Sequence, residues 1–272
     1  MLKRFSVFIY GLACYGLFLG TFLYAIGFVA NVLVPRSIDS PGDGDLVASL
    51  AIDLLLLTLF AVQHSGMARQ GFKRWLTRVV PEPAERSTYV LASSLALIAL
   101  FAFWRPLGGT VWTVQSPVLV AMLYGLCIFG WLLVLASTFL INHFDLFGLR
   151  QVWLYFVGDE YRPIGFRTPG PYRLVRHPLY VGWLFAFWST PTMTATHLLF
   201  AVVTTLYILF AIQLEERDLV ATLGDAYRSY RQRVPMLVPF TIPSRDQDAS
   251  HHRMPRIDER RQGSSPSGYR GL

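Results

Sequence analysis

Charged side chains are scarce. Asp, Glu, Lys and Arg make up only 15% of the 272 residues, where a soluble domain carries about a quarter. With 53% hydrophobic residues, that deficit excludes an ordinary water-soluble globule and points to a lipid-embedded body. Cysteine is almost missing as well. Cys14 and Cys127 each lie inside an apolar run and lack metal-ligand spacing, so they read as small core residues, with no disulfide and no redox role. No internal repeat of the kind that builds transporters is present, and no two histidines of the apolar core share a helix-face spacing. The net charge of +7 does not imply nucleic acid, because the basic residues follow a membrane topology. The length permits two soluble domains, but one helical bundle plus a tail fits better.

What is there is length of apolar chain. A membrane helix needs about 20 mainly apolar residues. Phe5 to Val34, Leu46 to Val62, Thr88 to Trp104 and Val118 to Ile141 provide four candidates. The first runs too far past Lys3 and Arg4 to be a cleaved leader. Leu179 to Leu214 is too long for one span and is broken by Thr190, Pro191 and Thr192. It reads as a helical hairpin with unequal arms, the first only about 16 Å long at helical rise. Placing the N-terminus in the cytoplasm puts 22 of the 24 Lys and Arg residues on that side, leaving only Arg36 and Arg105 outside. The positive-inside rule therefore predicts six embedded segments with both termini cytoplasmic.

Gly71 to Val80 sets Phe72, Trp75, Leu76 and Val79 on one helical face, with Lys73, Arg74 and Arg78 elsewhere. This predicts an interfacial helix drawn to anionic headgroups. Leu219, Leu223, Tyr227, Tyr230 and Val234 recur at three- and four-residue spacing, which predicts a cytoplasmic amphipathic helix after the last membrane arm. The fold class is thus all-α: a polytopic membrane helical bundle with a C-terminal hairpin and an amphipathic helix. Residues 1–243 form the membrane domain, and the polar stretch 244–272, rich in Gly, Ser and Pro, is expected to be a disordered tail. His251 and His252 fall in that tail and are expected to be solvated.

Polar groups at a membrane edge are costly enough to be informative. Gln63 and His64, then Asn142, His143 and Asp145, then Arg176 and His177, then Glu215 and Glu216 all fall at the predicted cytoplasmic edge, which suggests a common site. Asp53, deep in the second span, is expected to anchor a neighbouring helix, and His197 near the outer turn to be structural.

The most specific signal is the run from Gly170 through Tyr172, Arg176, His177, Pro178 and Tyr180 to Gly182, followed by Glu215-Glu216-Arg217-Asp218-Leu219 and by 223–235. These residues resemble the C-terminal half of the isoprenylcysteine carboxyl methyltransferase and phospholipid methyltransferase superfamily. There an Arg-His-Pro-x-Tyr element and a Glu-Glu pair flank the last hairpin and enclose S-adenosylmethionine. The resemblance makes 168–235 the cofactor-binding part. The residue types suit that use. Glu215 and Glu216 can accept hydrogen bonds from the cofactor's hydroxyls or amino group and sit near a sulfonium, Arg176 can pair with its carboxylate, and His177 can bond the cofactor or hold the loop. Pro178 opens a helix without orphaning an N–H, Tyr180 can stack on adenine, and Tyr172 belongs to the same element.

Gln63-His64-Ser65-Gly66-Met67 and Asn142-His143-Phe144-Asp145-Leu146-Phe147-Gly148 resemble the bacterial membrane-bound methanethiol S-methyltransferases, up to about Pro243. That resemblance implies methylation of methanethiol, a small volatile thiol, to dimethyl sulfide, with hydrogen sulfide as a further acceptor. Gln63, Asn142 and Arg231 are then expected to meet the acceptor. A thiol must lose its proton to become a good nucleophile, so a base is expected outside the cofactor motif. His143 is the first choice and His64 the second, with Asp145 orienting an imidazole. The rivals are a methyltransferase for a prenylated cysteine carboxylate or a phospholipid amine, and a haem- or metal-binding membrane protein of nitric-oxide metabolism. No metal is expected.

Overall fold

A computed structural model describes residues 1–42 and 44–241. The expected tail, 244–272, lies outside the described residues. Five helices are long and apolar enough to cross a membrane: α1 (Leu2–Ala30), α2 (Leu46–Met67), α4 (Glu85–Phe103, prolonged to Glu82 by a 3₁₀ turn), α5 (Pro117–Ile141) and α9 (Ala195–Leu223). Between them run α3 (Gln70–Leu76), a two-stranded pair of β1 (Thr110–Thr113) with β2 (Thr192–Thr194), α6 (His143–Leu146), α7 (Leu149–Val157), the short apolar α8 (Pro178–Trp188) and finally α10 (Asp225–Arg233). The protein is an all-α membrane bundle. One end of it holds the N-terminus, α3, α6, α7 and α10; the other holds the 31–42 and 104–116 loops and the hairpin tip.

Where the expected elements differ, local physics gives the reason. The first helix stops at Ala30 because Asn31 enters the left-handed region (φ 58°) and returns its N–H to Gly27 O, a common helix stop. The second continues past Val62 to Met67, so Gln63 and His64 are helical. The interfacial helix is shorter than expected. It ends at Leu76, which is buried, and leaves Val79 beyond it, 76% exposed. Leu219 to Leu223 form the last turns of α9, not a new helix, and Gly224 at φ 57° starts α10 separately. At 29 residues, α9 is about 43 Å long, against about 30 Å of hydrocarbon. Its twentieth residue is reached just before Glu215, so the carboxylate pair emerges where the apolar layer ends.

The apolar pattern gives no sign of the pairing of β1 with β2, which ties the 104–116 loop to the hairpin tip at the far end. There Asp53 Oδ1 accepts the Arg105 backbone N–H at 2.9 Å, so the anchor runs to a loop rather than to a helix. His197 lies buried, with Nε2 2.9 Å from Phe187 O and Nδ1 3.5 Å from Asp39 Oδ2. The core between α1, α2, α4, α5, α8 and α9 is aromatic, around Phe28, Phe101, Trp104, Trp131 and Phe200.

The closest helix crossing positions the hairpin. A Cβ on Gly130 of α5 would lie 2.6 Å from Ala186 N, and one on Gly182 of α8 would lie 2.7 Å from Gly130 O. Small residues let helix backbones meet in lipid, where dispersion replaces hydrophobic drive. The short arm α8 is thereby fixed on α5, and its first turn is fixed with it.

Candidate active site

The first turn of α8 opens with Pro178 at its first position, buried, and His177 as the cap residue. The segment just before it is gripped by the chain after α10: Arg176 N–H reaches Pro235 O (2.8 Å) and His177 N–H reaches Met236 O (3.2 Å). Helix α10 is thus clamped beside the hairpin, and the end of α9 faces it.

At the centre stands Glu216. Arg176 Nε donates to its Oε1 at 2.6 Å, His177 Nε2 donates to the same oxygen at 3.0 Å, and Arg231 Nε lies 3.7 Å from Oε2. A carboxylate only accepts, so the proton on His177 sits on Nε2. The Arg176 guanidinium also donates through one terminal nitrogen to Val234 O (2.6 Å) and Arg231 O (3.1 Å). Arg176 therefore acts as a staple between α8, α9 and the end of α10. The Glu216 side chain is 8% exposed.

Glu215 is different. Its side chain is 45% exposed, it takes the Tyr180 hydroxyl on Oε2 at 3.0 Å, and His177 Nδ1 stands 3.9 Å away, too far to bond. Tyr180 is turned to Glu215, with its ring 5.6 Å from His177. The Tyr172 carbonyl accepts the Tyr230 hydroxyl at 2.6 Å. Burial, opposed in part by Arg176, pushes the Tyr230 phenol up to about 12, and burial first, then Glu215, raises that of Tyr172. Both phenols stay protonated at neutral pH, and that of Tyr230 donates to the Tyr172 carbonyl.

The two candidate bases occupy separate networks. His64 on α2 faces α4: Nδ1 is 3.1 Å from Ser93 Oγ, and the Tyr89 hydroxyl is 2.9 Å from Nε2. Arg86 lies over the Tyr89 ring at 5.0 Å and donates to Leu146 O at 2.7 Å. Gln63 reaches the same Ser93 at 3.3 Å. Tyr207 of α9 bonds Ser65 at 2.9 Å, and both Tyr89 and Tyr207 stand near the Tyr180 phenol that meets Glu215. His64 thus lies on the side of the bundle that Tyr180 faces.

His143 is 5% exposed and sits in a cage of Phe139, Phe144 and Phe147 beside α1. Thr138 Oγ1 gives its proton to Leu135 O, so it accepts from His143 Nδ1 at 2.9 Å, and Nε2 is left to accept from Tyr15 at 2.9 Å. Burial lowers the imidazole's affinity for a proton. Asn142 caps α6 by accepting from Asp145 N–H at 3.1 Å. Asp145 does not orient an imidazole. It pairs with Arg150 (2.9 Å) and accepts from Tyr161 (3.3 Å), because residues two apart on a helix point to opposite sides.

The structure therefore brings Tyr172, Arg176, His177, Pro178, Tyr180, Glu215, Glu216 and Arg231 together. It sets Gln63 and His64 beside them across the bundle, and it holds Asn142, His143 and Asp145 in a separate helix-end network. The three histidines belong to three networks, and among the described residues no three His, Cys, Asp or Glu side chains could hold a metal ion. A cavity of about 320 Å³ at the opposite end, lined in part by Asp39, Tyr124, Cys127 and His197, contains none of these residues. Sequence reasoning missed Arg86, Tyr89 and Ser93. Their three- and four-residue spacing on an apolar span was a legible polar stripe.

Comparison with known proteins agrees with this geometry. Residues 118–226, which include α5, the hairpin and the Glu pair, match the phospholipid methyltransferase family. The methanethiol S-methyltransferase of Crocosphaera subtropica is 57% identical over 239 residues, covering 88% of this chain and 94% of that protein. That of Mycobacterium tuberculosis is 54% identical over 88% of this chain and 98% of its own length. Nurim of Rattus norvegicus is 34% identical over 65% of this chain and 70% of its own. No solved structure matches. Likeness of this extent, spanning the bundle as well as the hairpin, makes the chain a member of the family to which the bacterial methanethiol S-methyltransferases belong, and so a membrane-embedded methyltransferase.

Proposed function

We propose that the protein methylates methanethiol to dimethyl sulfide, with S-adenosylmethionine as methyl donor and hydrogen sulfide as a second acceptor. The observation that carries this reading is the half-exposed Glu215 beside the buried Arg176–His177–Glu216 cluster. It is an open carboxylate on a pre-organised polar wall, in a chain whose near-full-length relatives carry that activity in their names. The donor set fits the cofactor: carboxylates accept from hydroxyl and ammonium groups and favour nearby positive charge. Bound there, S-adenosylmethionine supplies an electrophilic methyl group whose neutral leaving group needs no acid.

The residues of the chain do the rest. Glu215, with Tyr180 and Tyr172, faces the donor, while Arg176, His177, Pro178 and Arg231 hold Glu216 and the helix start in place. The acceptor enters from the α2–α4 side, where Gln63 orients it and His64 takes the thiol proton. His64 is preferred to His143 because its partner Tyr89 lies on the Tyr180 side of the bundle, whereas His143 lies in a separate cage beside α1. Asn142 and Asp145 then support the α6 turn.

The test is headspace gas analysis of purified protein given S-adenosylmethionine and methanethiol. Dimethyl sulfide is the expected product, and none with cofactor bound would refute the reading. His64→Ala should lose most turnover at neutral pH and regain it as pH rises, since free thiolate grows about tenfold per pH unit below the thiol pKa. Wild-type turnover at neutral pH would move the role to His143 or to water.

The bundle end that carries the site is proposed to face the cytoplasm of a bacterial cell, because it gathers all the described Lys and Arg residues except Arg36 and Arg105. A reporter after Leu272 and one within the Pro35 to Asp45 loop should then report opposite sides of the cytoplasmic membrane. The same side for both would overturn the topology.

A further inference from the structure

The α2–α4 face holds a buried acceptor that is left open. Gln63 Oε1 has no hydrogen-bond partner there, although its amide nitrogen is 3.3 Å from Ser93 Oγ and 3.1 Å from Met67 Sδ. Such an acceptor is costly unless something donates to it. It lies beside His64, which shares Ser93 with it. One turn deeper in α2, Phe60 stacks on the His64 ring (5.2 Å between centroids, 22° between planes). Tyr207 meets Phe60 edge-on at 6.3 Å, and its hydroxyl is tied to Ser65. The polar corner made by Gln63, His64 and Ser93 therefore has an aromatic floor.

We infer that Gln63 Oε1 accepts the S–H as the thiol binds, before that proton passes to the adjacent His64, and that Phe60 and Tyr207 set the acceptor's size by blocking the space into which a longer alkyl group would extend. This rests on the reading of the protein as a thiol methyltransferase and deepens it by naming the residues that limit the acceptor's size. The physics is asymmetric in a useful way. An acceptor of one carbon leaves both rings where they are, whereas each further methylene must displace a ring already held by stacking on His64 or by the Ser65 hydroxyl. Discrimination by one methylene in an apolar pocket amounts to about ten- to two-hundredfold.

The experiment compares kcat/KM for methanethiol and 1-propanethiol in the wild type, in Phe60→Ala and in the milder Phe60→Leu, with S-adenosylmethionine affinity measured calorimetrically in each. The wild type should favour methanethiol. In the variants that still bind cofactor, the propanethiol-to-methanethiol ratio should rise at least about tenfold, and a lesion that is merely structural would lower both rates and leave the ratio alone. A ratio within about threefold of wild type in both variants, with cofactor affinity intact, overturns the assignment of the floor while methanethiol turnover by the wild type keeps the functional reading. A wild type that binds cofactor and methylates neither thiol removes both.

Discussion

Replacing Glu216 by Ala should unfold or severely destabilise the protein, whereas replacing its neighbour Glu215 by Gln should leave the fold intact and abolish most donor binding. Glu216 is buried under three cationic or donor side chains, two of them within 3.0 Å. Removing it leaves the Arg176 guanidinium buried with backbone carbonyls only. Breaking a buried pair from one side costs about 3–5 kcal/mol, enough to lower the melting midpoint by about 10 °C or more. Glu215 is half exposed, and its link to Tyr180 survives in Glu215→Gln because the amide oxygen still accepts. What is lost is a charged acceptor facing the donor, worth about 1.5–3 kcal/mol, or ten- to a hundredfold in affinity. Melting curves in detergent and calorimetry with S-adenosylmethionine separate the two. Equal melting points for wild type and Glu216→Ala would contradict the central role of Glu216, and unchanged affinity in Glu215→Gln would remove that residue from the donor site.

Gly182→Ala should also destabilise, although alanine is the better helix former by about 1 kcal/mol. Its Cβ would lie 2.7 Å from Gly130 O and 2.8 Å from Val134 N, and backbone atoms cannot turn aside as a side chain can. Forcing a methyl into such a crossing costs about 1–3 kcal/mol, so α8 must lift from α5. Because α8 begins at Pro178, the displacement reaches His177 and Tyr180, and turnover should fall with stability. A midpoint about 4–10 °C lower is expected. Gly125 of α5 is the control: nothing lies within 4 Å of the place a methyl group would take there, so Gly125→Ala should be neutral or mildly stabilising. The same response at both positions would mean that the α5–α8 crossing is not held by close approach.

The membrane character, the number of apolar segments, the unequal hairpin and the polar cluster at its two ends were legible in the sequence because each depends on local composition or on a contiguous motif. Twenty apolar residues must be a span whatever they pack against, and the Arg-His-Pro-x-Tyr element and the Glu pair flank one hairpin, so closing it brings them together. Helix ends were less legible. Asn31 and Gly224 stop helices through backbone conformation, and α9 outlasts its apolar stretch because a helix continues past the lipid when its next turns find partners, as Asp218 does with Arg69 at 2.9 Å.

The division of labour inside the motif was not legible at all. Glu215 and Glu216 are adjacent and chemically identical. Only the rotation of α9 against α8 and α10 buries one beneath Arg176 and leaves the other facing outward. The two histidines show the same limit. His64 and His143 are equivalent as edge residues in the chain, but α4 brings Tyr89 and Ser93 to the first, while α1 brings Tyr15 to the second. The sequence by itself determined which residue types lie at the membrane edge and that they belong to a methyltransferase motif, because desolvation allows such groups only where they are used. Which of them turns inward as structure and which remains open to chemistry was decided by the tertiary structure alone, since hydrogen bonds and burial depend on helices far apart in the chain.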